Sequence, residues 1–405
     1  DPVENSSLLP WLTATALLHC ARTYRRNTAT AVWFAVLSIL TFSLCVFGTF
    51  LTRYGLVSSV HAFPEPGLGV LFLVLLIHIW VFAFVLWFRR WRQWKGNTRI
   101  TGAVGERYII LNNWLMVLLT LVIFLGTLFP FLSGLFSDRK ISLQAEYFTK
   151  ITSPGGLLLL LMLGICPHLL RRGLRKDWRA ASAVVGGAAA LIVWLVTRRL
   201  APVYLVLCGL VAVNLTADLL VRFARSAKRK DRTGWRPRLR WSAARAVHFG
   251  VLLVFVGLAG SGGYDIEKEE ISLRPDERTQ IGRYELIFKN LNAEHGPNFT
   301  AVTAEMEVYE ADKQITTLYP SRAVYPASGQ NTSEVDVRRT LAGDLYLALT
   351  YVDPRTEQIK VTAMVKPLIN WIWIGSIISV LGTALVIVTI RSRPSLPEDP
   401  HEEQE

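Results

Sequence analysis

The chain alternates between long apolar runs and short polar connections over most of its length. Nine apolar runs can be distinguished, near 7–24, 31–52, 68–88, 108–132, 155–170, 180–197, 203–223, 246–260 and 367–390. A helix needs roughly 20 mostly apolar residues to cross a bilayer, and several of these runs are shorter than that. The pattern predicts a polytopic α-helical membrane protein with about nine spans in this chain.

Segment 261–366 has a different pattern, because its apolar residues alternate with polar ones in stretches such as 284–288, 303–309 and 344–349. A period of two is typical of strands with one buried face. Proline- and glycine-containing stretches separate these runs and indicate turns. We expect a small β-domain of roughly six to eight strands, inserted before the last span.

The change of pattern divides the chain into four parts. We expect a transmembrane helical domain at 1–260, the β-domain at 261–366, a last transmembrane helix at 367–390 and a tail at 391–405. The tail is rich in glutamate, so we expect it to be disordered.

Composition supports a membrane protein rather than a nucleic-acid-binding one. The 405 residues are 51% hydrophobic and carry a formal net charge of +13. A charge of this size could attract nucleic acid, but the basic residues occur in short bursts between apolar runs, where topology signals lie. The charge therefore indicates orientation in a membrane, and no nucleic-acid partner is expected.

Orientation follows from the distribution of lysine and arginine, which are enriched in cytoplasmic connections. Four connections are densely basic, at 22–30, 89–107, 171–179 and 222–245. We expect these four to face the cytoplasm, together with the tail. By alternation, the outer face then holds the segments 1–6, 53–67, 133–154 and 261–366.

Two histidines lie within predicted spans. His19 is about 18 Å along the first span from its outer end, and His248 begins the eighth span near the inner surface. A buried imidazole is costly in lipid unless it is paired, and two facing histidines can hold a haem between helices. The alternative is that each ring bonds to a neighbouring backbone or hydroxyl group, and the residues alone do not decide between the two.

His61 lies in the predicted outer connection at 53–67, on the same side as the polar segment that begins the chain. It is a candidate axial ligand at the membrane surface, and the alternative is a solvated loop histidine. Asp1, Glu4 and Asn5 offer side-chain acceptors on that side. They also suit the start of a helix, where acidic and amide side chains cap free backbone N–H groups.

The run Asp1-Pro2-Val3-Glu4-Asn5, followed by the apolar stretch 8–12 and by His19, resembles the tryptophan-rich haem-handling (WWD) motif of the CcmF family. In that family several tryptophans precede the Asp-Pro-Val-Glu-Asn run. We therefore expect the chain to be the C-terminal part of a longer membrane protein, or the downstream product of a split one. The resemblance continues in the same order nearly to the end of the chain, at 296–298, 318–325, 344–346 and 366–375.

The resemblance implies two haem sites. An internal haem b would have His19 and His248 as its two axial ligands, because these positions match the family's intramembrane histidines. A second, transient haem would be displayed at the outer face as the substrate. His61 would bind it together with an upstream histidine, beside Asp1, Pro2, Glu4 and Asn5.

The function implied by the resemblance is that of a cytochrome c haem lyase, which forms thioether bonds between haem and the thiols of a C-x-x-C-H apocytochrome. The internal haem would reduce the displayed haem, with quinol as a candidate electron donor. The implied partners are apocytochrome c, the haem chaperone CcmE and CcmH/CcmI-type subunits. The implied location is the bacterial cytoplasmic (inner) membrane, with the β-domain in the periplasm. No residue is identified as a general acid or base.

Three other functions fit parts of the sequence. A paralogous lyase could act on a C-x-x-C-K haem site. A haem transporter or exporter would use the histidines along a path, but that class is built from internal repeats, and the sequence shows none. A structural subunit would carry no haem, and the spectrum of the purified protein distinguishes it from the others.

Overall fold

The computed structural model describes residues 1–24, 29–57, 59–90, 104–136, 141–172, 178–228, 235–327, 329–353 and 355–389. The predicted tail at 391–405 and much of the basic connection at 89–107 lie outside these residues. Within them the chain forms nine helices: α1 Pro2–Thr23, α2 Ala29–Tyr54, α3 Pro66–Arg89, α4 Val104–Phe136, α5 Ala145–Arg172, α6 Trp178–Thr197, α7 Leu200–Lys228, α8 Trp235–Gly263 and α9 Asn370–Val388.

Each of the nine apolar runs coincides with a helix, although fewer than nine qualify as spans by length and composition over the described residues. Among the described residues seven segments are long and apolar enough to cross a membrane: Ala29–Tyr54, Gly67–Arg89, Arg107–Phe136, Ala145–Gly164, Leu200–Val221, Arg238–Gly263 and Asn370–Val388. Helix α1 falls short because its first two turns are polar and hydroxyl residues interrupt the rest. In α6 the side chains before Gly186 lie outside the described residues, and the described apolar stretch Gly186–Thr197 has fewer residues than a span needs.

The β-domain contains ten strands rather than six to eight. They are β1 Ile266–Leu273, β2 Arg278–Ile281, β3 Tyr284–His295, β4 Thr300–Glu310, β5 Lys313–Leu318, β6 Ser321–Tyr325, β7 Gln330–Glu334, β8 Asp336–Arg338, β9 Gly343–Asp353 and β10 Gln358–Pro367. Strands β7 and β8 were missed because β7 is polar throughout and β8 has three residues, too few for a period to be visible. The predicted fold class, a polytopic helical membrane protein with a β-domain before its last helix, is confirmed.

The strands form two antiparallel sheets around one apolar core. One sheet has the order β1-β10-β9-β8, and the other has the order β2-β3-β4-β6-β7 with β5 paired to β4. The inward side chains of both sheets are excluded from solvent, and the largest of them include Tyr284, Phe288, Leu345 and Leu347. Alternation along β3, β4 and β9 places these side chains on the inner faces, as expected for a β-sandwich.

The chain divides into two compact units, Asp1–Ala183 and Val184–Glu405. In the first unit, α1 packs against α2 and α4. A buried stripe along α1, formed by Leu9, Leu12, Ala16 and Cys20, makes this contact at helical spacing. The stripe fixes which face of α1 points into the bundle.

In the second unit, α8 and α9 approach closely at glycines. A Cβ atom added to Gly375 of α9 would overlap the backbone of Gly250 in α8, and one added to Gly382 would crowd Val247. Small residues let the backbones of membrane helices approach closely. Close van der Waals packing then stabilises the pair, because the hydrophobic effect does not drive helices together in lipid. The two helices that flank the β-domain in sequence therefore form a tight pair.

The β-domain is joined to this pair by polar contacts. Asn370, the first residue of α9, donates to Asp344 Oδ1 at 2.6 Å and to the carbonyl of Thr340 at 2.8 Å. Asp344 is only 2% exposed, and its buried Oδ1 accepts from Asn370 and from the backbone N–H of Thr340. Lys366, near the end of β10, pairs with Asp265, just before β1, at 3.2 Å. The chain thus enters and leaves the β-domain at neighbouring points.

Candidate functional site

The polar segment that begins the chain forms the first turn of α1. Asp1 is the N-cap, and its Oδ1 accepts from the backbone N–H of Val3 at 2.7 Å. Pro2 occupies the first helical position, where a missing N–H costs nothing. The backbone N–H of Asn5 donates to the carbonyl of Asp1 at 3.0 Å. The residues from Asp1 to Asn5 therefore also favour the start of a helix.

The connection between α2 and α3 is bound to this first turn. Ser59 Oγ donates to Asp1 Oδ2 at 2.6 Å. The carboxylate of Asp1 therefore accepts one hydrogen bond from α1 and one from the connection. The backbone N–H of His61 in turn donates to Ser59 Oγ at 3.0 Å. This chain of bonds fixes the backbone at His61 relative to the start of α1.

The side chain of His61 also faces α1. Its Nε2 lies 3.5 Å from Glu4 Oε1, with 54% of the imidazole and 69% of the carboxylate exposed. An exposed pair of this kind contributes little to stability, so its effect is on orientation. The structure therefore brings Asp1, Glu4 and His61 together, and Pro2 and Asn5 lie in the same helical turn as Glu4.

His19 is half-buried on α1, beside the stripe that packs into the bundle. Its Nδ1 lies 2.8 Å from the carbonyl oxygen of Thr15, one turn earlier. A carbonyl can only accept, so Nδ1 carries the proton and Nε2 carries the lone pair. Histidines that bind metals commonly have this arrangement.

His248 has the same arrangement in the second unit, where its half-buried ring places Nδ1 2.5 Å from the carbonyl oxygen of Ala244. His78 of α3 shows it too, with Nδ1 2.8 Å from the carbonyl of Val74. The bond is thus ordinary for a helical histidine and does not by itself identify a ligand. It does leave His19 and His248 in the tautomer that haem iron requires, so both fit the implied cofactor.

Sequence reasoning missed a buried ion pair on α7 and α8. Arg245 donates from Nε and from Nη2 to Asp218 Oδ2, both at 2.8 Å. The side chain of Asp218 is 0% exposed and that of Arg245 is 14% exposed. Asp218 lies inside the apolar segment Leu200–Val221, and a lone acidic residue there was the available signal.

The β-domain has a polar cleft of about 420 Å³, lined by residues that include Arg278, Arg283, Glu285 and Tyr309. Arg283 donates to the hydroxyl of Tyr284 at 2.8 Å and pairs with Glu310 at 3.2 Å. The hydrogen bond that Arg283 donates to Tyr284 raises the pKa of Arg283, which favours the charged guanidinium. Positive and negative groups balance each other around the cleft, which indicates structural ion pairs rather than a site for one charged ligand.

Two protein families match parts of the chain. The family described as CcmF C-terminal beta-sandwich matches residues 264–367, which contain all ten strands. The family described as Cytochrome C assembly protein matches residues 1–57, which contain α1 and α2. The second match includes the segment Asp1 to Asn5 and His19.

Curated relatives match almost the whole chain. The cytochrome c-type biogenesis protein ccl1 of Rhodobacter capsulatus is 34% identical over 97% of this chain and 60% of its own length. CycK of Bradyrhizobium diazoefficiens is 32% identical over 98% of the chain and 62% of its own length. CcmF of Haemophilus influenzae is 30% identical over 97% of the chain and 62% of its own length. The chain thus spans about three fifths of these relatives.

A solved structure has the same fold. The protein named Cytochrome c Heme Lyase CcmF matches with a TM-score of 0.74 and 24% sequence identity, covering 96% of this chain and 60% of that one. The order of helices, the inserted β-domain and the last helix are therefore shared with a protein of known structure.

Proposed function

The chain belongs to the CcmF family of cytochrome c-type biogenesis proteins, and on that premise we propose that it acts in a cytochrome c haem lyase. In this reaction each thiol of a C-x-x-C-H apocytochrome adds across a vinyl group of haem, so that a C–S bond forms and the thiol proton passes to the vinyl carbon. The contribution of the protein is to hold the two reactants in a fixed geometry, which turns an encounter into an intramolecular step.

The substrate haem is placed at the first turn of α1. His61 serves as one axial ligand, and the bonds from Ser59 to Asp1 and from His61 to Ser59 keep the ligand beside the motif. Glu4 lies close enough to hold the imidazole until haem replaces the contact. Pro2 and Asn5 belong to the same first turn of α1 and help to keep it helical.

The observation that supports this proposal most directly is that hydrogen bonds join the motif at the start of α1 to the segment that contains His61. The motif and the histidine are separated in sequence by all of α2, yet one carboxylate and one hydroxyl join them. A solvated loop histidine would not need a backbone anchored to the start of another helix. The family's motif and its surface ligand thus form one local site.

We also propose that His19 and His248 are the axial ligands of a resident haem b. Support comes from the family resemblance at both positions and from the tautomer that each backbone bond selects. When bound, this haem supplies electrons that keep the substrate iron ferrous. His19 and His248 would hold the iron of this haem, and quinol is the proposed electron donor.

The protein is a multi-pass membrane protein, and the bacterial inner membrane is its proposed location. The proposed position of the β-domain is the periplasm, which the basic connections favour and where apocytochromes would be matured. Apocytochrome c, the haem chaperone CcmE and CcmH/CcmI-type subunits are the proposed partners.

The test is substitution of His61 in the complete lyase, followed by two measurements. His61→Ala should stop haem attachment to a C-x-x-C-H apocytochrome while the bound b-type spectrum persists, and added imidazole should restore part of the attachment. His295→Ala is the matched control, because His295 is an exposed histidine of the β-domain with one weak bond to Thr300 at 3.4 Å. Normal maturation by His61→Ala would contradict the proposed surface site.

A further inference from the structure

The ion pair between Asp218 and Arg245 lies inside the helical part of the second unit. Both bonds of 2.8 Å end on one carboxylate oxygen, so the guanidinium is held by two of its nitrogens. Asp218 belongs to an apolar segment of membrane-spanning length and is shielded from solvent. Keeping two opposite charges in such a place is costly unless they stay together, and such residues usually serve a function in membrane proteins.

The pair lies next to His248. Arg245 precedes His248 by three residues on α8, which puts the two Cβ atoms about 5–6 Å apart on one side of the helix. Ala244, whose carbonyl oxygen accepts from His248 Nδ1 at 2.5 Å, is the neighbour of Arg245 in sequence. The charge pair and the ring are therefore held by the same turn of α8.

We infer that the Asp218–Arg245 pair sets the electric field at His248 and thereby the reduction potential of a haem bound there. This inference rests on the proposed function, because it needs a haem on His248. Charges act strongly over such a distance where water is excluded. The two opposite charges of the pair balance each other at the ring, so removing either charge changes the field there and with it the reduction potential.

The sign of the effect follows from the charge of the iron, which falls by one on reduction. An uncompensated positive charge nearby stabilises the reduced form and raises the midpoint potential. Asp218→Asn removes a negative charge and should raise the midpoint potential. Arg245→Gln removes a positive charge, so the midpoint potential falls if Asp218 stays charged and is unchanged if Asp218 takes up a proton. The double variant removes both charges and should return close to the parent value.

The experiment is a redox titration of the bound haem in the purified membrane protein, with haem content measured separately. The variants are Asp218→Asn, Arg245→Gln and the double variant, and Arg245→Lys tests whether charge alone is sufficient. Arg283→Gln is the control, because it breaks another arginine–carboxylate pair in the same unit, in the β-domain. Asparagine keeps the shape of aspartate, so the first variant disturbs packing little.

The expected result is an upward shift for Asp218→Asn, no upward shift for Arg245→Gln, and recovery in the double variant. Arg245→Lys and Arg283→Gln should match the parent. Equal shifts in both single variants, or a double variant that remains as shifted as Asp218→Asn, would show a purely structural pair and overturn the inference. If Asp218→Asn does not accumulate, the comparison of Arg245→Gln with Arg245→Lys tests the inference. A rise of the midpoint potential in both of these variants would overturn the inference. A parent protein without haem would instead overturn the proposed function.

Discussion

Ser59 donates a hydrogen bond of 2.6 Å to Asp1, a residue 58 positions earlier in the chain. The bond joins the connection between α2 and α3 to the N-cap of α1. Because the backbone of His61 is bonded to the same hydroxyl, a single serine links the motif to the proposed ligand. The proposed surface site therefore depends on a residue that neither the motif nor the histidines point to.

Ser59→Ala should reduce haem attachment several-fold and leave the resident haem in place. The lost bond is exposed and is worth about 1 kcal/mol, which corresponds to roughly a fivefold change in an equilibrium. The measurement is the yield of mature C-x-x-C-H cytochrome at equal protein levels. Ser7→Ala is a suitable control, because Ser7 donates within α1, to the carbonyl of Glu4 at 2.7 Å. Equal yields from both variants would show that the bond does not support the site.

His19→Ala and His248→Ala should each remove most of the low-spin b-type spectrum of the purified protein, because each deletes one of the two proposed haem ligands. His78→Ala is the matched control. It removes a histidine with the same backbone bond one turn earlier, but outside the proposed pair. A spectrum that survives both ligand substitutions would refute the resident haem, and loss of the spectrum in His78→Ala would assign a ligand to α3.

Phe288→Ala should destabilise the β-domain by about 3–5 kcal/mol, since it empties a large space between two sheets. Phe288 is fully buried in the sandwich core, whereas Val335, between β7 and β8, is 46% exposed. Limited proteolysis of the intact membrane protein should therefore detect faster cleavage between residues 266 and 367 for Phe288→Ala but not for the control variant Val335→Ala. Comparable protection of the parent and both variants would contradict the described core.

Asp312→Cys should react with a membrane-impermeant thiol reagent in intact cells, because the turn after β4 is exposed and the β-domain is proposed to lie outside. Arg90→Cys, at the end of α3, should react only after lysis. Both are made in a background whose four native cysteines are replaced. The opposite pattern of labelling would invert the orientation deduced from the basic connections.

Much of the fold could be predicted because lipid imposes a simple rule on sequence. Every apolar run became a helix, since a backbone in a membrane must satisfy its own hydrogen bonds. By length and composition, spans are least clear at α1, where apolar and polar residues mix, and at α6, of which only Gly186–Thr197 is fully described. Alternation found the long strands β3, β4 and β9, but β7 and β8 are recognisable only through their partners in the sheets.

The site could be predicted only as far as residue types reveal chemistry. The histidines and the acidic motif stood out, and the meeting of His61 with Asp1 and Glu4 agrees with their expected common side. Ser59 carried no signal, because serines are common in connections. The partnership of Asp218 with Arg245 could not be seen either, since it links residues 27 positions apart through the packing of two helices.

The contact between Lys366 and Asp265 has a consequence for protein engineering. The two ends of the sandwich meet at that contact, and the helices on either side are already packed together at Gly250 and Gly375. A short loop could replace the whole sandwich without pulling α8 and α9 apart. Such a deletion would yield a minimal helical hairpin, and grafting the sandwich of a distant homologue at the same two positions would give a chimaera with its membrane part unchanged.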